Sequence, residues 1–432
     1  MPHRLDPPPP FVRSPERVCL LRLSAIGDTC HAAAALRALK EAWPQTRFTW
    51  IIGKLEAKLM SAILPEVEFI TFDKRAMTRE LLRLRRILSA RHFDLLLDLQ
   101  LSIRASLVAA LVNAPVKLGF DRARARELQW LFTNARIAPA VSEHVLDSFL
   151  GFVRACGVDP GPASWDITLP ANAREYAERL IPDARPTLII SPCSSHTPRN
   201  WSAERYAAVA DHAAAKHDMR VILAGGRSEL ERRMGAAILA AANGKPAADA
   251  APATKAKPAA QAGLAEHSGP AGVALAVKAP PAAGVVPAVK AESAAAAPRL
   301  PIIDQIGKDT LPELLGLLAK ATVLVSPDSG PAHMATMVGL PVIGLYAATR
   351  TARAGPYYSR QWCVDKYDEA SRMVFGKPAA DIPWTEKIER PGVMDLIAVN
   401  EVTDRLDALM ARDAPMARDA LMARDALMGR KK

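Results

Sequence analysis

The chain has 432 residues, half of them apolar, and a formal charge of +11. That length exceeds one ordinary core and suits two domains, while no apolar run approaches the roughly 18 residues that a membrane span needs. Cys19, Cys30, Cys156, Cys193 and Cys363 are scattered and never form a Cys-x-x-Cys pair, which argues against a disulfide framework or a zinc site and fits a reducing cytoplasm. The basic balance implies an anionic partner: nucleic acid, a phosphorylated sugar or an acidic membrane surface.

Residues 1–16 carry no apolar signal core and are expected to be disordered. From residue 17 short apolar runs alternate with helical ones: "RVCLLRL", the helix "AAAALRALKEAW", "RFTWII", the helix "LEAKLMSAI", "VEFITF", the helix "TRELLRLRRILSAR", "FDLLLDLQ" and "VKLGF". Strands without strict alternation, each followed by a helix, predict a parallel sheet covered on both faces, in an α/β domain over 17–165. A second doubly wound domain over 166–243 and 299–385 is predicted from "TLIISPCSS", "SAERYAAVADHAAAKH", "RVILAGG", "SELERRMGAAILAAA", "IIDQIG", "TLPELLGLLAKA", "TVLVSPDSG" and "PVIGLYAAT". Its interruption, 244–298, is Ala, Pro, Lys and Gly without an aromatic residue and is expected to stay disordered. Residues 386–432 are expected to be a C-terminal helix and a tail repeating "MARDA" with a six-residue period, which matches no heptad or solenoid unit.

Two strand-to-helix junctions concentrate chemistry. In "RLSAIGDTCHAAAALRAL" the acid is Asp28, and it suits either a helix cap or a catalytic role. In "LVSPDSGPAHMATMVGLPVIGLY" a buried strand ends at Ser326, and the turn Pro327–Pro331 leads into a helix carrying His333. Gly330 permits close approach of a ligand, Pro331 suits the first helical turn, and free N–H groups there attract an anion such as a diphosphate. Asp328 or Ser329 could equally cap that helix. The position at the carboxyl end of a strand, where open α/β sheets bind ligands, favours function.

"DSGPAHMA" resembles the D[ST]GxxH donor-site signature of glycosyltransferase family 9, the lipopolysaccharide heptosyltransferases. "LRLSAIGDTCHAAAALRALK", "LLLDLQ", "LGFDRARARE", "SPCSSHTPRNWSAERYAAVA" and "VILAGG" agree in order, so the resemblance covers roughly 17–240 and 300–350. It implies a GT-B fold, two Rossmann-like domains facing across a cleft. It also implies an inverting, metal-independent transfer of heptose from ADP-heptose to the Kdo-bearing inner core of lipid A, with no cofactor beyond that co-substrate. A cytoplasmic monomer, peripheral on the cytoplasmic face of the inner membrane, follows as the expected state; the alternative is a GT-B enzyme using another nucleotide sugar for a different glycan.

The resemblance places the general base at Asp28 and donor contacts at Ser194, Ser195, Arg199, Asp328, Ser329, Gly330 and His333, with Glu229 as a ribose-binding acid. Arg199 stands where the family has a phosphate-contacting lysine, exchanging a point charge for a planar, bidentate one. Arg104, Arg122 and Arg126 are candidate acceptor contacts, since arginine suits carboxylates and phosphates. Arg79, Arg83 and Arg86 line one helix as a solvated face or as a contact for lipid phosphates. His31 and His144 read as packing or capping residues, and Cys193 as a small buried one. Inverting transfer needs a base on one side of the sugar and stabilisation of the departing diphosphate on the other. A dinucleotide oxidoreductase is disfavoured because the first turn offers only Gly27 in place of GxGxxG, and a nucleic-acid binder because no recognition motif is present.

Overall fold

The structure is a computed structural model that describes residues 13–244 and 301–412; nearly all of the Ala/Pro/Lys-rich insertion and the repetitive tail lie outside the described residues. Each half of the chain forms a six-stranded parallel sheet. The first comprises β1 (Arg17–Leu21), β2 (Arg47–Gly53), β3 (Glu68–Phe72), β4 (Leu95–Asp98), β5 (Val116–Gly119) and β6 (Ala135–Arg136), in the order β3-β2-β1-β4-β5-β6. The second comprises β7 (Thr187–Ile190), β8 (Arg220–Leu223), β9 (Ile303–Asp304), β10 (Val323–Pro327), β11 (Val342–Tyr346) and β12 (Val364–Asp365), ordered β12-β11-β10-β7-β8-β9. Both are the doubly wound Rossmann order, in which the winding reverses beside the first strand of each half.

The strands read as unbroken apolar runs because both faces are covered. Leu20 packs with Trp50 on one side, while Cys19 and Leu21 pack with Phe72, Leu84 and Leu88 on the other. Register Leu21↔Asp98 brings the ends of β1 and β4 side by side, and Val325↔Ile190 does the same for β10 and β7. Loops following these four strands therefore converge at the two switch points.

The two halves touch directly. Helix Ile26–Ala42 packs against helix Gly330–Met337, and apolar residues of both halves merge into one buried cluster that includes Leu36, Trp165, Met334 and Leu340. Gly27 allows this approach, since a Cβ there would fall 2.3 Å from Cδ2 of His333.

Residues 386–412 differ from the expectation of a separate terminal piece. Ile388, Val393, Ile397, Val402, Leu406 and Leu409 are buried in the second domain's core beside Trp201 and Tyr206. Trp201 Nε1–H donates to the Ile397 carbonyl at 3.1 Å. The segment completes the domain, and burial of its apolar side chains contributes roughly 1.5–3 kcal/mol for each large one.

Candidate active site

After β1 the chain turns through Ser24 and Ala25 into helix Ile26–Ala42, with Asp28 at the third helical position. The Asp28 carboxylate accepts the Ala25 N–H at 3.3 Å and pairs with the Arg22 guanidinium. It is a helix cap and still about one-third exposed (32%), so its second oxygen face is open to a ligand. Gln100, after β4, accepts from Leu23 N–H at 2.7 Å and Ser24 N–H at 3.1 Å, fixing the turn from the neighbouring strand.

The junction after β10 is built differently. Ser329 occupies the N-cap of helix Gly330–Met337, yet no side chain caps that helix. The Ser329 hydroxyl bonds the Ser326 hydroxyl at 2.8 Å instead. Asp328 turns inward, where its carboxylate accepts from Arg199 at 2.9 Å and lies 3.8 Å from His333 Nε2. Burial alone would raise the Asp328 carboxyl, but His333 and the Arg199 charge hold it below its ordinary value. The capping alternative for Asp328 and Ser329 is thereby removed, and the first-turn N–H groups are left for an anion.

Arg199 follows β7 in a single 3₁₀ turn and is buried. Besides Asp328 it meets Glu389, whose Oε1 accepts from its Nε at 2.8 Å and Nη2 at 2.6 Å. Ser194 is buried, its N–H donating to Asn200 Oδ1 at 2.6 Å, and Ser195 is exposed next to it. Cys193 is buried and pushed up to about 12 by burial, so it stays a thiol.

Across the domain contact three histidines meet edge to face: His31 lies 4.7 Å from His333 and 5.4 Å from His144, centroid to centroid. His144 Nδ1 accepts the Leu146 N–H at 3.0 Å, which caps helix Val145–Ala155, and its Nε2 donates to the Gly355 carbonyl at 2.8 Å. Burial lowers His144 to about 4 and drives His31 well below its usual range, so both are neutral. Neither ring nitrogen of His31, nor Nδ1 of His333, has a partner among the described residues.

Not all predicted residues gather here. Glu229 begins helix Glu229–Ala242 but points to solvent, paired with Arg232 and Arg233 at 2.9 Å each. Glu231, one helical step away, takes the Gly226 and Ser228 N–H groups. Arg126 reaches the second domain, donating to Thr385 Oγ1 at 2.9 Å, while Arg122 lies 3.8 Å over the Trp130 ring and Arg104 is exposed. Arg83, expected on a free arginine face, is instead tied to Glu80 and the Thr71 carbonyl. His212, His217 and Asp407 could hold a metal ion, and none of them is among the residues around Asp28 and Asp328.

The residue-level reading also missed cationic and acidic members of the site. Arg22, six residues before Asp28, is its charge partner. Arg353, in the short helix after β11, is partly buried: burial lowers its pKa, whereas Asp28 and Asp328, from opposite domains, raise it. The signal available for Arg353 was "TRTARAG", a basic turn after a strand's carboxyl end; Glu389 had none.

Two Rossmann-order sheets whose switch points meet across an acid-and-arginine site give the chain a GT-B architecture. The fold is shared with a family 9 glycosyltransferase from Veillonella parvula (TM-score 0.65, 18% identity, 92% of this chain and 98% of that one). It is shared too with the E. coli heptosyltransferase WaaC solved with ADP (TM-score 0.61, 18% identity, 91% and 99%). The sequence pattern of glycosyltransferase family 9 (heptosyltransferase) matches residues 81–281 and 246–380. The lipopolysaccharide core heptosyltransferase OpsX of Haemophilus influenzae is 34% identical over 401 residues, 93% of this chain and 99% of that protein. The chain belongs to glycosyltransferase family 9.

Proposed function

We propose that the enzyme transfers heptose from ADP-heptose to the Kdo/heptose inner core of lipid A, with inversion and without a metal ion, at the cytoplasmic side of the inner membrane. The observation that carries this reading is the end-to-end match to a lipopolysaccharide core heptosyltransferase. The geometry supports the chemistry. Asp28, paired with Arg22 and open on one side, removes the proton from an acceptor hydroxyl as that oxygen attacks the anomeric carbon. On the opposite face the C1–O bond to the diphosphate breaks, and the departing charge is received by the uncapped helix start at Gly330 and by Arg199. Arg199, which donates through both Nε and Nη2 to Glu389 Oε1, exchanges part of that contact for a phosphate. Ile26 lies 3.4 Å from where a Gly330 Cβ would be, so base and donor helix are immediate neighbours.

The test is a mass-shift assay with ADP-heptose and Kdo-lipid A in the presence of a chelator. A gain of one heptose, lost in Asp28→Asn while ADP still raises the melting temperature, is expected. Transfer from a UDP-sugar alone, or full inhibition by the chelator reversed by a divalent cation, overturns the donor or the metal-free part of the reading respectively.

A further inference from the structure

We infer that His212, His217 and Asp407 form a zinc site that clasps the C-terminal helix onto the second domain. The inference is independent of the sugar-transfer reading, because it uses no residue of that site. His212 and His217 belong to helix Ala203–His217, and Asp407 to the helix over 399–412. Both imidazoles aim Nε2 at one carboxylate oxygen: His212 lies 2.8 Å from Asp407 Oδ1 and His217 2.6 Å. The three candidate ligand atoms all fall within 4.8 Å of one another. Their side chains are only 27%, 16% and 25% exposed, so the cluster is partly withdrawn from water.

Helix packing brings the three together. Ala207, Ala210 and Ala213 share one buried cluster with Val402, Leu406 and Leu409 of the C-terminal helix, and small alanine side chains let the two helices come close. His212 and His217, five residues apart, point about 140° apart around their helix, so they straddle a line rather than share a face. Asp407, next to buried Leu406, reaches in between them.

The donor set selects the ion. Two imidazole nitrogens and one carboxylate oxygen suit zinc, with water as a fourth ligand, whereas magnesium and calcium favour oxygen alone. In a tetrahedral site with bonds of about 2.0–2.2 Å, ligand atoms sit roughly 3.3 Å apart. The N–O separations here need to open by only about half an ångström, which side-chain torsions can supply. Lys216 Nζ donates to the other carboxylate oxygen, Oδ2, at 2.8 Å. It thereby orients Asp407 as an outer-shell partner and leaves Oδ1 to the metal. Binding moves each neutral ring's proton from Nε2 to Nδ1, and the freed Nε2 lone pair faces the ion. The consequence is structural: the clasped segment also brings Glu389 to Arg199 and the Ile397 carbonyl to Trp201.

The experiment uses the full chain without an affinity tag, stripped with a chelator that is then removed. Zinc should bind as one equivalent and raise the melting temperature by a few degrees, and magnesium should do neither. Cobalt(II) should produce the visible absorption of a tetrahedral site, which zinc then abolishes. His217→Gln keeps an N–H donor for Asp407 but loses the imidazole. It should melt near the wild type in chelator and bind zinc on the order of tenfold more weakly, or less still, as should Asp407→Asn. Transfer by the stripped wild type, assayed below its melting temperature, should be unchanged, which separates failure of this site from failure of the catalytic reading. Absence of a bound equivalent in the wild type would overturn the inference, as would undiminished zinc binding by both variants.

Discussion

The loops after β1 and β10 occupy equivalent places in two sheets of identical strand order, and each carries one acid at a strand-to-helix turn. They use that acid in opposite ways. Asp28 stands at the third position of its helix, caps it, and remains one-third exposed beside Arg22. Asp328 precedes its helix, caps nothing, and is only 12% exposed between Arg199 and His333. The same backbone device therefore yields an accessible carboxylate in one half and a structural counter-ion in the other. Side-chain accessibility, rather than the turn itself, separates the carboxylate proposed as the base from the one held between Arg199 and His333.

That contrast can be broken experimentally. The largest effect is expected from Asp28→Asn, which should lower kcat by about 10²–10⁴-fold with little change in donor affinity. If Asp28 only capped its helix, the rate would stay within a few-fold and the melting temperature would fall instead. Asp328→Asn should show the reverse emphasis. Leaving Arg199 and His333 without their buried carboxylate should cost about 3 kcal/mol in urea unfolding, together with weaker ADP binding. Arg199→Lys retains the charge but cannot satisfy Asp328 and Glu389 through one planar fork, so KM for the donor should rise by roughly tenfold with kcat less affected.

A subtler distinction lies in pH. Burial raises Asp98, at the end of β4 next to β1, to about 7. A carboxyl whose folded value is raised stabilises the fold below its unfolded pKa and loses that contribution as pH climbs through the folded value. Stability attributable to Asp98 should thus decline between about pH 4 and 7. Asp98→Asn should flatten that part of a melting-temperature profile. The histidine cluster has the opposite sign: His144, lowered to about 4, supports the domain contact above its ordinary pKa and withdraws support as acid is added. The smallest effect belongs to Glu229→Gln, which should leave donor KM unchanged and stability within about 0.5 kcal/mol, because its partners are surface arginines.

The sheets were legible because their strands are apolar on both faces, so "RVCLL" and "TLII" stand out without alternation. Two-residue β6 offers no such pattern. The turn at Asp328 was legible through Gly330 and Pro331, whose conformational demands are local. Helix phase was not legible at Glu229: Glu231, two positions on, faces back to the Gly226 turn while Glu229 faces water. The histidine cluster and Glu389 were illegible for a different reason. His31, His144 and His333 lie far apart in the chain, and Glu389 reaches Arg199 only because residues 386–412 fold back over Trp201.

Gly27 was noted as the point where the first helix passes His333. Its missing methyl group acts as a spacer of zero thickness: the separation between the helix that carries Asp28 and the helix that carries His333 is set by atoms that are not there. A residue of any other type at this position is a shim inserted between two machined faces. It would change no reacting group, yet it would alter the distance that a sugar must bridge.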